Sequence, residues 1–176
     1  MNYGKIKQFD IANGPGVRVS LFVSGCTHHC EGCFNETTWD FNSGKAFTEE
    51  EIKYILKTLE LPYVNGISLL GGEPLERSNQ RGLLPLLRQI KEKYNDKDIW
   101  CYTGYTFDTD IRDRMCKNWE ETNELLSYID VLVDGKFELD KKDISLVFKG
   151  SSNQRIICVR ESLEAGNIVL WNQEKA

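Results

Sequence analysis

The first feature of the sequence is a set of short apolar runs, rich in β-branched and aromatic residues and separated by longer polar segments. Runs of this composition, bounded by turn residues, are typical of β-strands. The first run leads directly into a group of cysteines that begins at Cys26. The runs predict strands at residues 17–23, 66–70, 98–102, 129–133, 155–159 and 168–171.

Between these runs, apolar residues recur every three or four positions, which is the spacing of a helix with one buried face. Thr48 and Glu51 have the spacing of a capping box, and the apolar positions after them predict a helix there. A second helix is predicted over 83–94, and a third helical region over 108–127 with a break near Asn118.

Strands that alternate with helices predict an α/β fold with a mainly parallel sheet, because parallel neighbours need a crossover connection. In such sheets, ligands bind beyond the carboxyl ends of the strands. The segments that follow the strands should therefore converge on one site; they are 24–35, 71–74, 103–105 and 134–137. No internal repeat or linker is visible, so we expect residues 1–176 to form one domain.

Composition excludes some classes of function. The chain has 176 residues, of which 40% are hydrophobic and 28% charged, as in ordinary soluble proteins. No run approaches the ~20 apolar residues of a membrane helix, and no secretory signal is visible, so we expect no membrane partner and a cytoplasmic location. A net charge of −5 without clustered Lys or Arg argues against nucleic acid as a partner.

The six cysteines are unevenly distributed: Cys26, Cys30 and Cys33 fall within eight residues, and the other three are scattered. The cytoplasm keeps thiols reduced, so disulfides are not expected. Three thiolates in one tight loop suit an iron–sulfur cluster, whose irons prefer soft ligands. No fourth cysteine lies nearby, so one iron of a [4Fe–4S] cluster would remain open to a cofactor or substrate.

Structural zinc is the alternative for this loop. His28 or His29 would supply a fourth ligand beside the three cysteines. However, structural zinc sites usually pair two short ligand motifs across a longer spacer, and the spacing Cx3Cx2C has no second half here. The spacing therefore favours a cluster, and a brown chromophore lost in air would separate the two.

At these residues the sequence resembles the radical S-adenosylmethionine superfamily, whose signature is Cx3Cx2C. The resemblance implies a small, partial (βα) barrel in which the cysteines hold a [4Fe–4S] cluster and the open iron binds S-adenosylmethionine. An electron from the cluster then breaks a carbon–sulfur bond, giving methionine and a 5′-deoxyadenosyl radical. The cofactor carries the difficult chemistry, and the protein positions and shields it.

More narrowly, the chain resembles the activating proteins of anaerobic ribonucleoside-triphosphate reductases. Gly32 stands where many superfamily members have an aromatic residue, and this branch instead has the aromatic after the cysteine, here Phe34. The stretches that carry the resemblance cover most of the chain: Asn13-Gly14-Pro15-Gly16-Val17-Arg18, Gly25 to Asn35 with Thr38-Trp39, Gly71-Gly72-Glu73-Pro74, Val133-Asp134-Gly135-Lys136-Phe137 and Gly150-Ser151-Ser152-Asn153-Gln154-Arg155-Ile156.

This narrower resemblance implies a protein substrate. A flavodoxin-like donor would supply the electron, and the radical would take a hydrogen atom from a glycine Cα of the reductase large subunit. A pyruvate formate-lyase activase, or a radical enzyme with a small-molecule substrate, is the nearest alternative. A non-catalytic cluster or zinc protein is the alternative from another class.

The resemblance also implies which residues bind the cofactor. Glu73 would accept a hydrogen bond from its methionyl amino group, although Gly71 to Pro74 would also suit a plain turn between a strand and a helix. Asp134 and Lys136 would lie near the cofactor, or would instead pair with each other on the surface. The implied cofactor-binding residues are Gly32, Cys33, Phe34, Gly71, Gly72, Glu73, Asp134 and Lys136.

Several other residues have two interpretations. His28 and His29 either tune the cluster or have no role, and neither is expected to be a ligand. Arg18 and Arg155 either meet a carboxylate or face solvent. Trp39 either lines a partner surface or caps the core. The scattered cysteines are expected to be small core residues, since free Cys is readily buried; they are Cys101, Cys116 and Cys158.

Overall fold

The computed structural model describes residues 1–172, and seven strands within them form one sheet. The strands are β1 (Asn2–Asp10), β2 (Val17–Val23), β3 (Lys45–Ala46), β4 (Val64–Gly71), β5 (Asp98–Tyr102), β6 (Val131–Asp134) and β7 (Arg155–Cys158). Their order across the sheet is β3-β1-β2-β4-β5-β6-β7. Residues 173–176 of the predicted domain lie outside the described part.

The centre of the sheet is parallel, as predicted, and its outer strands are antiparallel. Strands β2, β4, β5 and β6 run parallel to one another. Strand β1 pairs with β2, and β7 with β6, in the antiparallel sense. The connection between β1 and β2, residues 11–16, is too short for the crossover that a parallel pair requires.

The predicted helices are present. Thr48 and Glu51 form the capping box of the first helix, with the Thr48 amide donating to the Glu51 carboxylate at 2.7 Å. The second helix begins at Arg77, six residues before the predicted start, because the buried polar side chains of Asn79 and Gln80 hide its periodicity. The helices are α1 (Glu49–Leu59), α2 (Arg77–Lys93), a π-helical segment (Phe107–Met115), α3 (Cys116–Asn118), α4 (Glu120–Tyr128) and α5 (Val159–Ala165).

Four features of the fold differ from the prediction: the strand predicted at 168–171, and strands β1 and β3 and helix α5, which were not predicted. The predicted strand at 168–171 is wrong, since this segment contributes a single bridge between Ile157 and Leu170. Helix α5 precedes it and ends at Ala165, and the residue that caps it, Gly166, has a left-handed φ of +69°. Strand β1 was not predicted, because its sequence mixes polar residues with apolar ones and its side chains are mostly half-buried or exposed.

Side chains alternate between two faces of the sheet, as in any strand. One face packs against α1, α2, the π-helical segment and α4, and we call it the helix face. The other is covered mainly by loops, and we call it the loop face. Fully buried side chains on the helix face include Val19, Leu21, Ile67, Leu69, Ile99, Cys101 and Leu132.

The loop face has a smaller apolar cluster and several polar groups. Trp100 lies at its centre, with Phe148 at 5.5 Å and Trp171 at 5.1 Å between ring centroids. The neighbouring side chains Arg18 and Ser68 are also fully buried there. This face therefore combines a small core with buried polar chemistry.

The buried charge of Arg18 on the loop face is fully partnered. Its guanidinium donates to Ser68 Oγ at 2.9 Å, to the carbonyl of Ile67 at 3.0 Å and to that of Pro15 at 3.3 Å, and it pairs with Asp98. A buried charge is tolerated when such partners replace its water. Of the two interpretations of Arg18, contact with a carboxylate is confirmed.

Candidate functional site

A cavity of about 350 Å³ lies on the loop face, at the carboxyl ends of the parallel strands. The segments after β2, β4, β5 and β6 all contribute to its wall, so the predicted convergence is confirmed. Contributing residues from these four segments are Cys26, His28, Cys30, Cys33, Phe34, Asn35, Gly71, Gly72, Glu73, Thr103, Gly104, Gly135 and Phe137.

The thiols of the cysteine loop line this cavity together. Cys26 is buried, Cys30 and Cys33 are half-buried, and all three are free. The amide of Cys33 donates to the carbonyl of Cys30 at 3.2 Å, and the amide of Asn35 donates to Cys33 Sγ at 3.4 Å. Gly32 has a φ of +70°, which lets the chain turn between Cys30 and Cys33.

The surroundings of the thiols act on their pKa in opposite directions. Burial raises the pKa of Cys26 to about 11, and amides of the loop act in the opposite direction. Burial also raises the pKa of Cys30, whereas the charge of Lys136 lowers it. Within residues 1–172, no three His, Cys, Asp or Glu side chains are arranged around one metal ion. Three thiols spread over one cavity wall suit a cluster, because each thiolate then meets its own iron.

The turn after β4 packs directly against the start of the cysteine loop. The amide of Gly72 donates to the carbonyl of Val23 at 2.7 Å, and the amide of Glu73 donates to that of Gly25 at 2.8 Å. A Cβ atom on Gly71 would lie 2.7 Å from the backbone of β2, and one on Gly72 would lie 2.6 Å from the Gly25 carbonyl oxygen. Both glycines are therefore required by close backbone packing.

Glu73 presents a buried carboxylate, 1% exposed, in the cavity wall. One oxygen accepts from His28 Nε2 at 3.0 Å and from the Gly104 amide at 2.8 Å. The other accepts from the Leu75 amide at 2.8 Å. A carboxylate offers about four acceptor positions, so one further donor can still bind.

The side chain of His28 connects the cysteine loop to the turn after β5. Its ring meets Tyr105 edge-on, with 4.4 Å between centroids. A Cβ atom on Gly104 would lie 2.5 Å from the His28 ring, so a glycine is needed there. We call His28, Glu73, Gly104 and Tyr105 the loop anchor.

The next histidine in the loop has a different environment. His29 is exposed, has a φ of +46°, and stacks on Trp39 with 4.6 Å between ring centroids. Trp39 lines the cavity, and its carbonyl accepts from the Cys26 amide at 3.0 Å. Trp39 thus supports the cysteine loop with its backbone and the cavity wall with its side chain.

Asp134 lies at the end of β6, but its side chain is not part of the cavity wall. Its carboxylate is fully buried and binds the guanidinium of Arg155 at 2.9 Å, and Arg155 also binds Asp108 at 2.8 Å. The interpretation that Asp134 pairs with Lys136 on the surface is therefore wrong, and Arg155 does meet carboxylates. Lys136 acts on the site through its charge near Cys30.

One exposed aromatic residue marks the mouth of the cavity. The ring of Phe34 is 72% exposed and lies 5.8 Å from that of Phe137, with the amino group of Lys142 4.8 Å from its centroid. Ile144, two residues before Leu146 of the cavity wall, is 94% exposed. Phe34 therefore lies at the mouth rather than in the interior.

Sequence reasoning missed part of the cavity wall. Tyr102, Leu146, Phe148 and Gln154 line it, although none was a candidate. Gln154 lies within a stretch that carried the family resemblance, which was a usable signal. Phe148 has a φ of +57°, which is unusual for a bulky residue and leaves no trace in the sequence. Of the scattered cysteines, Cys101 and Cys158 are buried as predicted and Cys116 is half-buried.

Comparison with known proteins agrees with this site. Residues 12–157 match the family described as a 4Fe-4S single cluster domain. The fold and the cysteine loop thus define an α/β protein with a single iron–sulfur cluster.

Relatives of known name are similar over nearly the whole chain. An anaerobic ribonucleoside-triphosphate reductase-activating protein of Pasteurella multocida (strain Pm70) is 45% identical over 89% of this chain and 96% of its own. Those of Enterobacteria phage T4 and Escherichia coli (strain K12) are 41% and 44% identical, over 89% and 88% of this chain and 93% and 96% of their own. The chain belongs to the family of anaerobic ribonucleoside-triphosphate reductase-activating proteins. Among the helices of residues 1–172, none has the length and apolarity of a membrane span.

Proposed function

We propose that this protein is an activating enzyme that generates a glycyl radical on the large subunit of an anaerobic ribonucleoside-triphosphate reductase. The observation that carries the proposal is a cavity lined by three free thiols and by the turns after four parallel strands. The target glycine would lose a hydrogen atom from its Cα to the 5′ carbon of the split cofactor, which leaves as 5′-deoxyadenosine.

Two groups would occupy the cavity. Cys26, Cys30 and Cys33 would hold a [4Fe–4S] cluster, and the turn at 71–73 would bind the methionyl end of S-adenosylmethionine. When bound, these groups supply the one-electron cleavage that yields methionine and a 5′-deoxyadenosyl radical. The remaining acceptor position of Glu73 suits the amino group of the cofactor.

The residues of the chain would position the reactants and exclude water. The loop anchor fixes the cysteine loop against two neighbouring turns, which limits its movement when ligands bind. Leu70, Phe137 and Phe148 form apolar parts of the wall, and a dry wall protects a reactive radical from side reactions. The cofactor contacts that the resemblance implies for Gly32, Phe34 and Lys136 are part of this proposal. Asp134 would act only by positioning the turn after β6, because its carboxylate binds Arg155 and does not line the cavity.

The protein substrate would enter at the cavity mouth. We propose that residues 1–176 form one domain, a partial barrel whose enclosure the reductase completes, with its glycine loop passing Phe34. The electron would come from a flavodoxin-like donor near Cys30 and Cys33, because these are the more exposed thiols of the loop. The protein would act in the cytoplasm, which keeps thiols reduced.

The test is an anaerobic assay of the full chain. The protein is reconstituted with iron and sulfide, reduced with dithionite and mixed with S-adenosylmethionine, with and without the reductase large subunit. We expect 5′-deoxyadenosine, together with a glycyl radical on the large subunit in electron paramagnetic resonance spectra.

Other outcomes separate the alternatives. Cofactor cleavage without a glycyl radical on the reductase would retain the cleavage chemistry and overturn the partner. A radical formed instead on pyruvate formate-lyase would identify the other activase. Absence of both a cluster and cleavage, with the three cysteines intact, would overturn the proposal and favour zinc.

A further inference from the structure

One hydroxyl group in the cavity wall has no hydrogen-bond partner. Tyr102 is the last residue of β5 and lines the cavity, and its phenol oxygen is buried without any partner in the described residues. Most buried polar groups in proteins do have a partner, so an exception calls for a physical explanation. A buried hydroxyl without a partner lowers the stability of the protein that carries it.

A second unpartnered donor lies in the same wall. The indole Nε1 of Trp39 is buried, and it too has no acceptor among residues 1–172. The ring itself is held in place, because it stacks on His29 and its backbone accepts from the Cys26 amide. Trp39 and Tyr102 lie far apart in the sequence, yet both residues line one cavity and each has a buried donor without an acceptor among residues 1–172.

The chemistry of these donors limits what they can bind. An indole N–H is a donor only, whereas a phenol hydroxyl can donate or accept. Both groups are neutral. Burial raises the pKa of Tyr102 above its ordinary value, so its phenol keeps the proton. Neutral donors in a partly apolar wall suit neutral acceptors, such as the ring nitrogens and ribose oxygens of a nucleoside. The charged methionyl end of the cofactor is better matched by the cluster and Glu73.

We propose that Tyr102 and Trp39 are specificity contacts that hydrogen-bond the adenosyl part of the cofactor. The inference rests on the proposed function, because it takes S-adenosylmethionine as the ligand of the cavity. It goes beyond that function by naming two residues that recognise the nucleoside and by giving a reason for their unpartnered donors. Without ligand, the two unpartnered donors lower the stability of the protein. A bound ligand would accept their hydrogen bonds and restore that stability.

The test compares two tyrosines. Tyr102→Phe removes the unpartnered hydroxyl, so it should raise the melting temperature of the ligand-free protein by about 2–4 °C. It should also weaken the binding of S-adenosylmethionine to the cluster-loaded protein about fivefold to tenfold. Calorimetric titration measures the affinity, and iron and sulfide analysis checks that cluster content is unchanged.

The matched control is Tyr94→Phe. The hydroxyl of Tyr94 donates to the Leu56 carbonyl at 2.9 Å, away from the cavity. Its loss should lower the melting temperature and leave the affinity unchanged, the opposite result on both measurements. Trp39→Phe, which keeps an aromatic ring but lacks the N–H, should weaken binding by a similar factor without loss of the cluster.

The outcomes distinguish this inference from the proposed function. Wild-type protein that fails to bind S-adenosylmethionine would overturn the proposed ligand. Wild-type protein that binds it, with Tyr102→Phe and Trp39→Phe binding equally well, would overturn the specificity contacts alone. A lower melting temperature for Tyr102→Phe would show that the hydroxyl has a partner in the protein and would also overturn the inference.

Discussion

On the helix face, strands β2, β4 and β5 present Leu21, Leu69 and Cys101 to the helices, whereas on the loop face the same strands present Arg18, Ser68 and Tyr102. The first set is apolar and fully buried in one continuous core. The second set contains a buried charge, a hydroxyl that bridges to a loop, and a hydroxyl without a partner.

The difference shows how one sheet separates stability from chemistry. Because neighbouring residues of a strand point to opposite faces, a single step along the chain changes the role of a side chain. Burial of aliphatic groups on the helix face stabilises the fold. Buried polar groups on the loop face lower stability unless a loop or a ligand provides hydrogen-bond partners. This face is therefore the one suited to binding a ligand.

The largest expected effect is the loss of the cluster. Cys26→Ser, Cys30→Ser and Cys33→Ser should each abolish the brown chromophore and cofactor cleavage, because the hard hydroxyl of serine is a poor ligand for an iron–sulfur cluster. Absorption spectra and iron analysis after reconstitution measure this. Cys116→Ser is the control, since Cys116 packs against the helix-face core, and it should keep the chromophore. A chromophore that survives all three loop substitutions would contradict the site.

The adjacent residues Leu69 and Leu70 compare the two faces directly. Leu69 is fully buried in the helix-face core, and Leu70 lines the cavity. Leu69→Ala should lower the free energy of unfolding by about 2–5 kcal/mol, as core Leu→Ala changes do. Leu70→Ala should cost clearly less but weaken cofactor binding. Urea denaturation and titration measure the pair, and equal losses of stability would contradict the division between faces.

The two histidines of the cysteine loop compare anchored and exposed side chains. His28→Ala removes one donor from the buried Glu73 carboxylate, which should cost about 1–3 kcal/mol and weaken cofactor binding. His28→Gln, which keeps a donor, should recover part of the binding. His29→Ala removes a stacked but exposed ring, so both properties should change little. Equal effects of His28→Ala and His29→Ala on affinity would argue against the loop anchor.

The smallest effect is expected at the capping box of α1. Thr48→Ala removes the side chain that accepts from the Glu50 amide, so the helix should lose about 1 kcal/mol of stability. The cavity should be unaffected, with unchanged cluster content and cofactor affinity. A change in either property would mean that the helix face and the loop face are more strongly coupled than their packing indicates.

The parts of the molecule that were predicted correctly depend on local sequence. The capping box at Thr48, the strand at 98–102 and the spacing of the three cysteines each lie within a few residues, so one short window contains the whole signal. The convergence of the turns was also predicted from local sequence. Ligands bind beyond the carboxyl ends of parallel strands, so the turns that follow predicted strands are expected to lie together.

The parts that were missed depend on contacts between distant residues. The packing of Gly104 against His28 joins residues far apart in the chain, and the contact cannot be predicted from either residue type. The same holds for Arg155 with Asp134, because the sequence left the partners of both residues open. Tyr102 belonged to a predicted strand, but its missing partner is visible only once the cavity wall is assembled.

The order of the strands has a consequence for the synthesis of the protein. Strands β5, β6 and β7 each pair with the strand made just before them, so a chain emerging from the ribosome can extend the sheet in the order of translation. The cysteine loop emerges early, but the wall around its thiols includes Gln154. Before Gln154 is made, the thiols of the loop lack part of the wall that surrounds them, so we expect a cluster to be inserted only after this residue has been translated.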